Sequence, residues 1–241
     1  MIDIHSHILP GIDDGSSDLY ESLEMAELAV RGGTSTIVAT PHCNIPGSYR
    51  NYYSEEYDYV FNLLQDSIKN ENIDLQVLPG MEVFVTEDVP KLITEGMVIP
   101  INNTKYMLFE FGFGEEPDFV RYMLERIMDL GVKPVIAHAE RFHFVHDNPH
   151  LLKEWKKKDI VIQMNKGSFQ GRFGYKSEEI AFMAMDAGLV NVIASDAHGC
   201  NMRTPFMDNV YYELSADYKA EYLNKLFNDN PLKIITGRSI A

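Results

Sequence analysis

Short runs of branched apolar residues alternate along the chain with longer stretches in which apolar residues recur every three or four positions. The short runs have the length and composition of buried strands, and the longer stretches have the spacing of one helix face. The predicted strands are 1–4, 36–39, 75–78, 82–85, 106–111, 134–137, 160–164 and 192–194. Helices are predicted over 17–32, with Ser17 as the cap, and over 54–70. This alternation predicts a parallel α/β sheet or barrel.

The pattern runs through the chain without an internal repeat, a linker or a change of composition. It therefore predicts a single domain, residues 1–241. About seven strands in a chain of this length favour a distorted β/α barrel of the TIM type. A composition of 45% hydrophobic and 11% aromatic residues excludes a disordered chain.

The net charge of the chain limits the classes of partner that it is expected to bind. There are 36 acidic and 21 basic residues, which gives a net charge of -15. Such a charge repels a phosphate backbone and an anionic membrane surface, so nucleic acid is not an expected partner. The sequence shows neither a signal peptide nor an apolar run of about 18 residues, so no membrane insertion is expected. Only two cysteines, Cys43 and Cys200, are present, and we expect a cytoplasmic protein.

The opening segment MIDIHSHILPGIDDG contains the first candidate site. His5 and His7 are two residues apart, so in an extended strand both imidazoles leave the same face. A turn with proline and glycine then brings Asp13 and Asp14 back towards the strand end. Two histidines alone do not define a metal site, and they could instead form local hydrogen bonds.

Further side chains of metal-binding type fall on or just past the later strands, and we expect them all at the carboxyl ends. They are His42, Glu82, Glu110, His138, Asp196 and His198. The strands of a parallel barrel end at one rim, where such barrels have their active sites, so these residues would converge on one cavity. Independent structural polar groups would have no reason to recur at this position.

Six motifs resemble those of the polymerase-and-histidinol-phosphatase (PHP) superfamily: DIHSH at 3–7, TPH at 40–42, PGME at 79–82, FEF at 109–111, AHAER at 137–141 and SDAH at 195–198. DDG at 13–15, AHAER and Arg203 are most similar to bacterial manganese-dependent protein tyrosine phosphatases of capsule and exopolysaccharide operons. The resemblance spans residues 1 to about 203 and implies a distorted seven-stranded β/α barrel of the PHP type. The metal ligands it implies are His5, His7, Asp14, His42, Glu82, Glu110, His138, Asp196 and His198, with Asp13 as the alternative to Asp14.

The resemblance implies three divalent metal ions. Manganese is the first choice, with iron or zinc as alternatives, because nitrogen and oxygen ligands without a thiolate suit these metals. Five neutral imidazoles and four carboxylates carry about -4, so three divalent ions leave about +2, which suits a phosphate monoester. We expect in-line attack of metal-bound hydroxide on phosphorus without a covalent phosphoenzyme. The implied substrate is a phosphotyrosine protein, such as a bacterial tyrosine autokinase in polysaccharide synthesis.

Two arginines are candidates for transition-state contacts. Arg141 and Arg203 would stabilise the charge on the phosphoryl oxygens, or else support a ligand through a salt bridge. A cysteine phosphatase needs five residues between its cysteine and its arginine. Six residues separate Cys43 from Arg50, and two separate Cys200 from Arg203, so neither pair fits.

Other functions remain open from the sequence. One is a phosphatase of the same superfamily that acts on histidinol phosphate or another small phosphomonoester. An amidohydrolase would usually need a bridging lysine in mid-chain, where this chain has Glu82 and Glu110. A binding module with purely structural metals would not need two spare arginines.

Two aromatic or histidine-rich segments are less informative. Residues 49–52 could form an aromatic wall beside the metals, because long loops at the catalytic end of a barrel often determine specificity. His143, His146 and His150 are predicted to lie in a solvated loop or on a helix face.

Overall fold

Parallel strands form the centre of the computed structural model, which describes residues 1–240. The strands are β1 (Ile2–Ser6), β2 (Thr36–Ala39), β3 (His42–Cys43), β4 (Gln76–Pro79), β5 (Glu82–Phe84), β6 (Tyr106–Glu110), β7 (Lys133–Ile136), β8 (Val161–Asn165) and β9 (Val192–Ala194). Both ends of every predicted strand lie within two residues of the ends of an observed strand. The two-residue strand β3 was not predicted, because so short a segment has no detectable period.

The strands are arranged in two parallel sheets. The first has the order β1-β2-β4, and the second has the order β3-β5-β6-β7-β8-β9. The sheets also meet beyond β9, where Ser6 pairs with Ala197 and the His7 N–H donates to the Ala197 carbonyl. The result is a curled parallel sheet of six strands that meets a parallel sheet of three strands at this point. The count of seven strands stays a prediction.

The two breaks between the sheets have local causes. Pro41 separates β2 from β3, and proline has no N–H to donate to a sheet ladder. Gly80 separates β4 from β5, and the Tyr57 hydroxyl both donates to the Gly80 carbonyl and accepts from its N–H. A Cβ at Gly80 would lie 2.8 Å from Val38 Cγ1, so only glycine fits this close approach.

Helices cover the outside of the curled sheet. They are α1 (Leu19–Arg31), α2 (Glu55–Asn70), α3 (Val89–Thr94), α4 (Pro117–Asp129), α5 (His143–Asp147), α6 (His150–Lys157), α7 (Tyr175–Asp186), α8 (Asp208–Leu214), α9 (Ala220–Asn224) and α10 (Asn230–Ile235). Within residues 1–240, no helix is both long enough and apolar enough to cross a bilayer. Because helices pack against the parallel strands, β6 and β8 are buried along their whole length.

The first two long helices begin close to the predicted positions. Ser54, the first residue of the predicted range 54–70, caps α2, and its side chain accepts the Tyr57 N–H. The prediction of Ser17 as the cap of α1 is wrong, because the Asp18 carboxylate accepts the Glu21 N–H there. Ser17 lies one residue earlier and donates its N–H and hydroxyl to the Glu21 carboxylate.

Candidate metal centre

The nine residues expected to bind metals come together at one rim of the curled sheet. His5 is in β1 and His7 follows it, Glu110 ends β6, His138 follows β7, and Asp196 and His198 follow β9. Two residues do not lie at the carboxyl end of a strand as expected. His42 is the first residue of β3, and Glu82 is the first residue of β5. The breaks at Pro41 and Gly80 start new strands at this point, and His42 and Glu82 are register partners across them.

The Glu82 carboxylate lies at the middle of the cluster and is fully buried. Its Oε1 is 3.2 Å from His5 Nε2 and 3.0 Å from His138 Nε2. Its Oε2 is 3.3 Å from His7 Nε2 and 3.0 Å from His42 Nδ1. A single carboxylate therefore faces four imidazoles, two on each oxygen.

Three other carboxylates complete the cluster. Asp196 Oδ1 is 3.4 Å from His5 Nε2 and 3.5 Å from His7 Nε2. Asp14 Oδ1 is 3.5 Å from His42 Nε2 and 3.7 Å from His198 Nε2. Glu110 approaches His42 Nδ1 and His138 Nε2 to 3.7 and 3.5 Å. Three overlapping groups of donor atoms result: His7, Asp14, His42 and His198; His5, His7 and Asp196; and His42, Glu82 and Glu110.

The spacing of these atoms fits divalent cations. His5 Nε2 and His7 Nε2 are 3.2 Å apart. Two ligand atoms that each lie about 2.1 Å from one ion are about 3.0–3.4 Å from each other. His42 Nδ1 and Glu82 Oε2 are buried and 3.0 Å apart, yet neither has a hydrogen-bond partner among the described residues. Buried polar atoms without partners are costly, and a shared cation would satisfy both.

Asp13 supports the cluster and does not face it. Its carboxylate is 2.7 Å from His7 Nδ1 and accepts the backbone N–H groups of His42 and Gly15. Burial acts to raise the pKa of Asp13, but His7 and the hydrogen bonds have the larger, opposite effect and lower this pKa to about 2. Since the His7 Nδ1–H donates to Asp13, the Nε2 lone pair faces the cluster. Asp14 is the member of this pair whose carboxylate faces the inside of the cluster, towards His42 Nε2 and His198 Nε2.

Two amide side chains from β8 orient other members, and neither was predicted. Gln163 Oε1 accepts both the His5 Nδ1–H and the His138 backbone N–H, each at 3.0 Å. Asn165 Nδ2 donates to Asp196 Oδ2 at 2.5 Å. Both are polar residues in an otherwise apolar strand, which is the signal that could have identified them.

Both candidate arginines lie at the rim and contact Asp196. Arg203 Nη2 and Arg141 Nη1 are 2.6 and 3.4 Å from Asp196 Oδ2. The Arg141 guanidinium contacts two aromatic rings, with Cζ 4.7 Å from the Phe113 centroid and 4.2 Å from the Phe173 centroid. Such cation–π contacts hold a guanidinium in one orientation. Neither phenylalanine was identified from the sequence, because both lie in loops without a motif.

The titrating groups of the cluster are strongly perturbed. Burial and the nearby Glu82 raise the pKa of Glu110 to about 8. Burial lowers the pKa of His138 to about 4. Burial also opposes a charge on His7, but Asp13 and the other carboxylates raise the pKa of His7 well above its usual range. The cluster therefore holds protons that a cation would have to displace.

The family of the chain follows from comparison with known proteins. The family model for capsular polysaccharide synthesis proteins of the CpsB/CapC type matches residues 1–236. The chain belongs to the CpsB/CapC family. The tyrosine-protein phosphatase YwqE of Bacillus subtilis is 35% identical to this CpsB/CapC chain over 240 residues, which cover 100% of this chain and 93% of YwqE.

One solved structure agrees with this membership of the CpsB/CapC family, and a second shares the fold alone. The first, from work on YwqE of Bacillus subtilis and CpsB of Streptococcus pneumoniae as metal-dependent tyrosine phosphatases, has a TM-score of 0.92 and 34% identity. The match covers 100% of this chain and 96% of the chain in the solved structure. The lactonase Lmo2620 of Listeria monocytogenes has a TM-score of 0.64 at 12% identity, covers 98% of this chain and 94% of its own, and shows the fold alone.

The cysteines of this CpsB/CapC protein are not activated thiols. Burial raises the pKa of Cys43 to about 12. Burial and the neighbouring glutamates Glu24 and Glu21 raise the pKa of Cys200 to about 11. The reactive form of cysteine is the thiolate, so neither side chain is prepared for nucleophilic attack near neutral pH.

The aromatic and histidine-rich segments lie around the metal centre in different ways. The Tyr49 ring is parallel to the His42 ring, with centroids 6.0 Å apart. The Tyr52 hydroxyl donates to Asn44 Oδ1 and so has a structural contact. His146 Nε2–H donates to the Glu140 carbonyl at 2.7 Å, while His143 and His150 are exposed at the starts of α5 and α6.

Proposed function

We propose that the protein is a metal-dependent protein tyrosine phosphatase that hydrolyses phosphotyrosine in a protein substrate. The observation that carries the proposal is the cluster around Glu82, with two guanidinium groups at its open rim. The relative YwqE is named a tyrosine-protein phosphatase, and the similar solved structure is described as metal-dependent, which supports the same activity here.

The proposed metal ligands are the nine residues of the cluster: His5, His7, Asp14, His42, Glu82, Glu110, His138, Asp196 and His198. We propose three divalent ions, with manganese as the first choice. When bound, such ions supply positive charge for the phosphoryl oxygens and lower the pKa of a water nucleophile. Asp13 and Gln163 hold His7 and His5 with the Nε2 atoms free for this purpose.

The arginines bind the phosphoryl group in this proposal. The Arg203 side chain is 30% exposed, and its Nη2 is held 2.6 Å from Asp196 Oδ2, so the guanidinium lies at the open rim beside the cluster. Arg141 is held by its aromatic neighbours and loses little freedom when it binds an anion. Two fixed guanidiniums stabilise the charge that spreads over the equatorial oxygens during in-line displacement. Both thiols stay protonated, so no covalent phosphocysteine forms.

The leaving group and the mouth of the site favour an aryl phosphate. A phenol leaves more easily than an aliphatic alcohol and needs less help from a general acid. Tyr49 lies parallel to His42 at the mouth and could stack on a substrate ring. The proposed protein substrate is a bacterial tyrosine autokinase of polysaccharide synthesis, in keeping with a family of capsular polysaccharide synthesis proteins.

The proposal extends to the fold and the compartment. Residues 1–241 would form one domain, a distorted PHP-type barrel of seven strands in which β2–β3 and β4–β5 each count as one interrupted strand. The pairing of Ser6 with Ala197 supports this closure. One cooperative unfolding transition is the expected result for one domain. The cytoplasm is the proposed compartment, because Cys43 and Cys200 are free thiols, which fits a reducing environment.

The activity is tested by substrate comparison. The chain is stripped of metal with a chelator and assayed with and without manganese on a phosphotyrosine peptide, the matching phosphoserine peptide and histidinol phosphate. We expect hydrolysis that depends on manganese, with the highest kcat/KM for phosphotyrosine. A higher kcat/KM for histidinol phosphate would contradict the proposed substrate, and equal activity of stripped and manganese-loaded enzyme would contradict the metal dependence.

A further inference from the structure

A cavity of about 190 Å³ lies next to the metal centre. It is lined by Phe113, Arg141, His143, His146, Phe173 and Ser177. Pockets that hold a whole small molecule usually measure about 300–1,000 Å³, so this cavity has room for a single side chain. Arg141 belongs both to this cavity and to the rim at Asp196, so the two sites share a guanidinium.

The lining of the cavity differs in charge from the rest of the protein. No acidic residue lines it, although the chain as a whole has a net charge of -15. Its lining residues carry a guanidinium, two imidazoles, a hydroxyl and two aromatic rings. The rings of Phe113 and Phe173 both lie over the Arg141 guanidinium, and its Nη1 donates to Asp196 at 3.4 Å, so its other N–H edges remain for further polar contacts. These edges suit a carboxylate, which can accept two N–H groups at once.

The walls of the cavity are fixed by hydrogen bonds and burial. The His143 N–H donates to the Phe113 carbonyl at 2.8 Å and joins the loop after β6 to the start of α5. The His146 ring is held by the Glu140 carbonyl. Ser177 is 2% exposed and lies in the first turn of α7, where N–H groups have no partner within the helix. A preformed cavity of this kind binds without first ordering its walls.

We propose that this cavity is a substrate subsite that binds an acidic side chain close to the phosphotyrosine in the chain of the protein substrate. Arg141 Nη1, which lies beside Asp196, would serve the phosphoryl group, the Arg141 N–H edges on the cavity side would bind the carboxylate, and the aromatic rings would contact its methylene groups. This inference rests on the proposed phosphatase activity and adds a sequence preference to it. The net negative charge of the protein as a whole repels acidic peptides. A preference for them can therefore come only from a local site.

The first test compares two phosphotyrosine peptides with the wild-type enzyme. One has glutamate at the three positions on each side of the phosphotyrosine, and the other has glutamine at the same positions. We expect a kcat/KM about five- to tenfold higher for the glutamate peptide, the size of one local charge-assisted contact. Equal values, or a preference for glutamine, would overturn the subsite.

A charge change at the cavity gives the second test. His143→Glu places a carboxylate at an exposed position of the lining, and we expect it to abolish the preference for the glutamate peptide. His150→Glu is the matched control, because His150 is also exposed and lies outside the cavity. It should keep the preference. A preference that survives His143→Glu, or one that both variants lose equally, would contradict the inference.

A minimal substrate separates this inference from the proposed function. p-Nitrophenyl phosphate has no flanking residues and needs only the metal centre. If it and the peptides are all left intact by the manganese-loaded enzyme, the phosphatase proposal itself is wrong. If all are hydrolysed but the two peptides at equal rates, the phosphatase proposal stands and only the subsite is wrong.

Discussion

Asp13→Asn is expected to weaken metal binding without unfolding the protein. The Asp13 carboxylate accepts three hydrogen bonds, from His7 Nδ1–H and from the N–H groups of His42 and Gly15. Asparagine has nearly the same shape, but one of its two terminal atoms is a donor. In at least one of the three contacts, the asparagine NH2 group therefore faces another N–H donor and no hydrogen bond forms. The negative charge that holds His7 is also lost.

The size of the effect follows from these contacts. A hydrogen bond to a charged group contributes about 1.5–3 kcal/mol. Loss of one such bond at His7 corresponds to a metal affinity about 10- to 100-fold lower, the range usual for residues that support a metal-binding histidine. Activity should recover when manganese is raised by the same factor, because the ligand His7 itself is intact.

The assay is competition for manganese between the protein and a coloured chelator, with a thermal melt of each variant. Asp18→Asn is the matched control, since asparagine caps a helix as well as aspartate does and Asp18 lies at the start of α1. It should bind manganese like the wild type. An Asp13→Asn protein with unchanged affinity would refute the orienting role, and lost activity at saturating manganese would indicate a direct part in the chemistry.

Three other predictions can be checked on the same preparation. Arg203→Ala should retain its metals by elemental analysis yet hydrolyse aryl phosphates at least about tenfold more slowly; unchanged turnover would leave Arg203 only its salt bridge. Metal affinity should rise between about pH 6 and 8, because Glu110, with a pKa of about 8, must lose its proton to bind a cation; calorimetry in buffers of different ionisation enthalpy would detect the released protons. The double variant Cys43→Ser, Cys200→Ser should keep its activity with its metals, and a metal-loaded but inactive protein would contradict the absence of a thiol nucleophile.

Sequence patterns were sufficient for eight of the nine strands and for the convergence of distant side chains. The apolar runs that became β6 and β8 have the length and composition of buried strands, and side chains at strand ends of a parallel sheet must meet. The choice between Asp13 and Asp14 was of another kind. Both lie in one turn, and only the hydrogen bonds of the folded chain show that Asp13 is turned to His7 while Asp14 is turned to His42.

The parts that could not be predicted depend on contacts between loops. Phe113 and Phe173 belong to different loops and meet only through Arg141. No local period or motif marks such a stack. Gln163 is a different case, because its role depends on two hydrogen bonds that need the exact register of β8 against β7. A polar residue in a buried strand predicts some partner, but not which one.

The irregularities of the sheet are what allow one carboxylate to join the whole cluster. In a continuous strand, Glu82 would follow β4 without a break and its position would depend on the register of the first sheet. The break at Gly80, held by the Tyr57 hydroxyl, starts β5 at Glu82 and pairs it with His42, which begins β3 after the break at Pro41. Both oxygens of Glu82 then face imidazoles from both sheets. The distortion that made the strand count hard to predict is therefore also the feature that assembles the proposed metal centre.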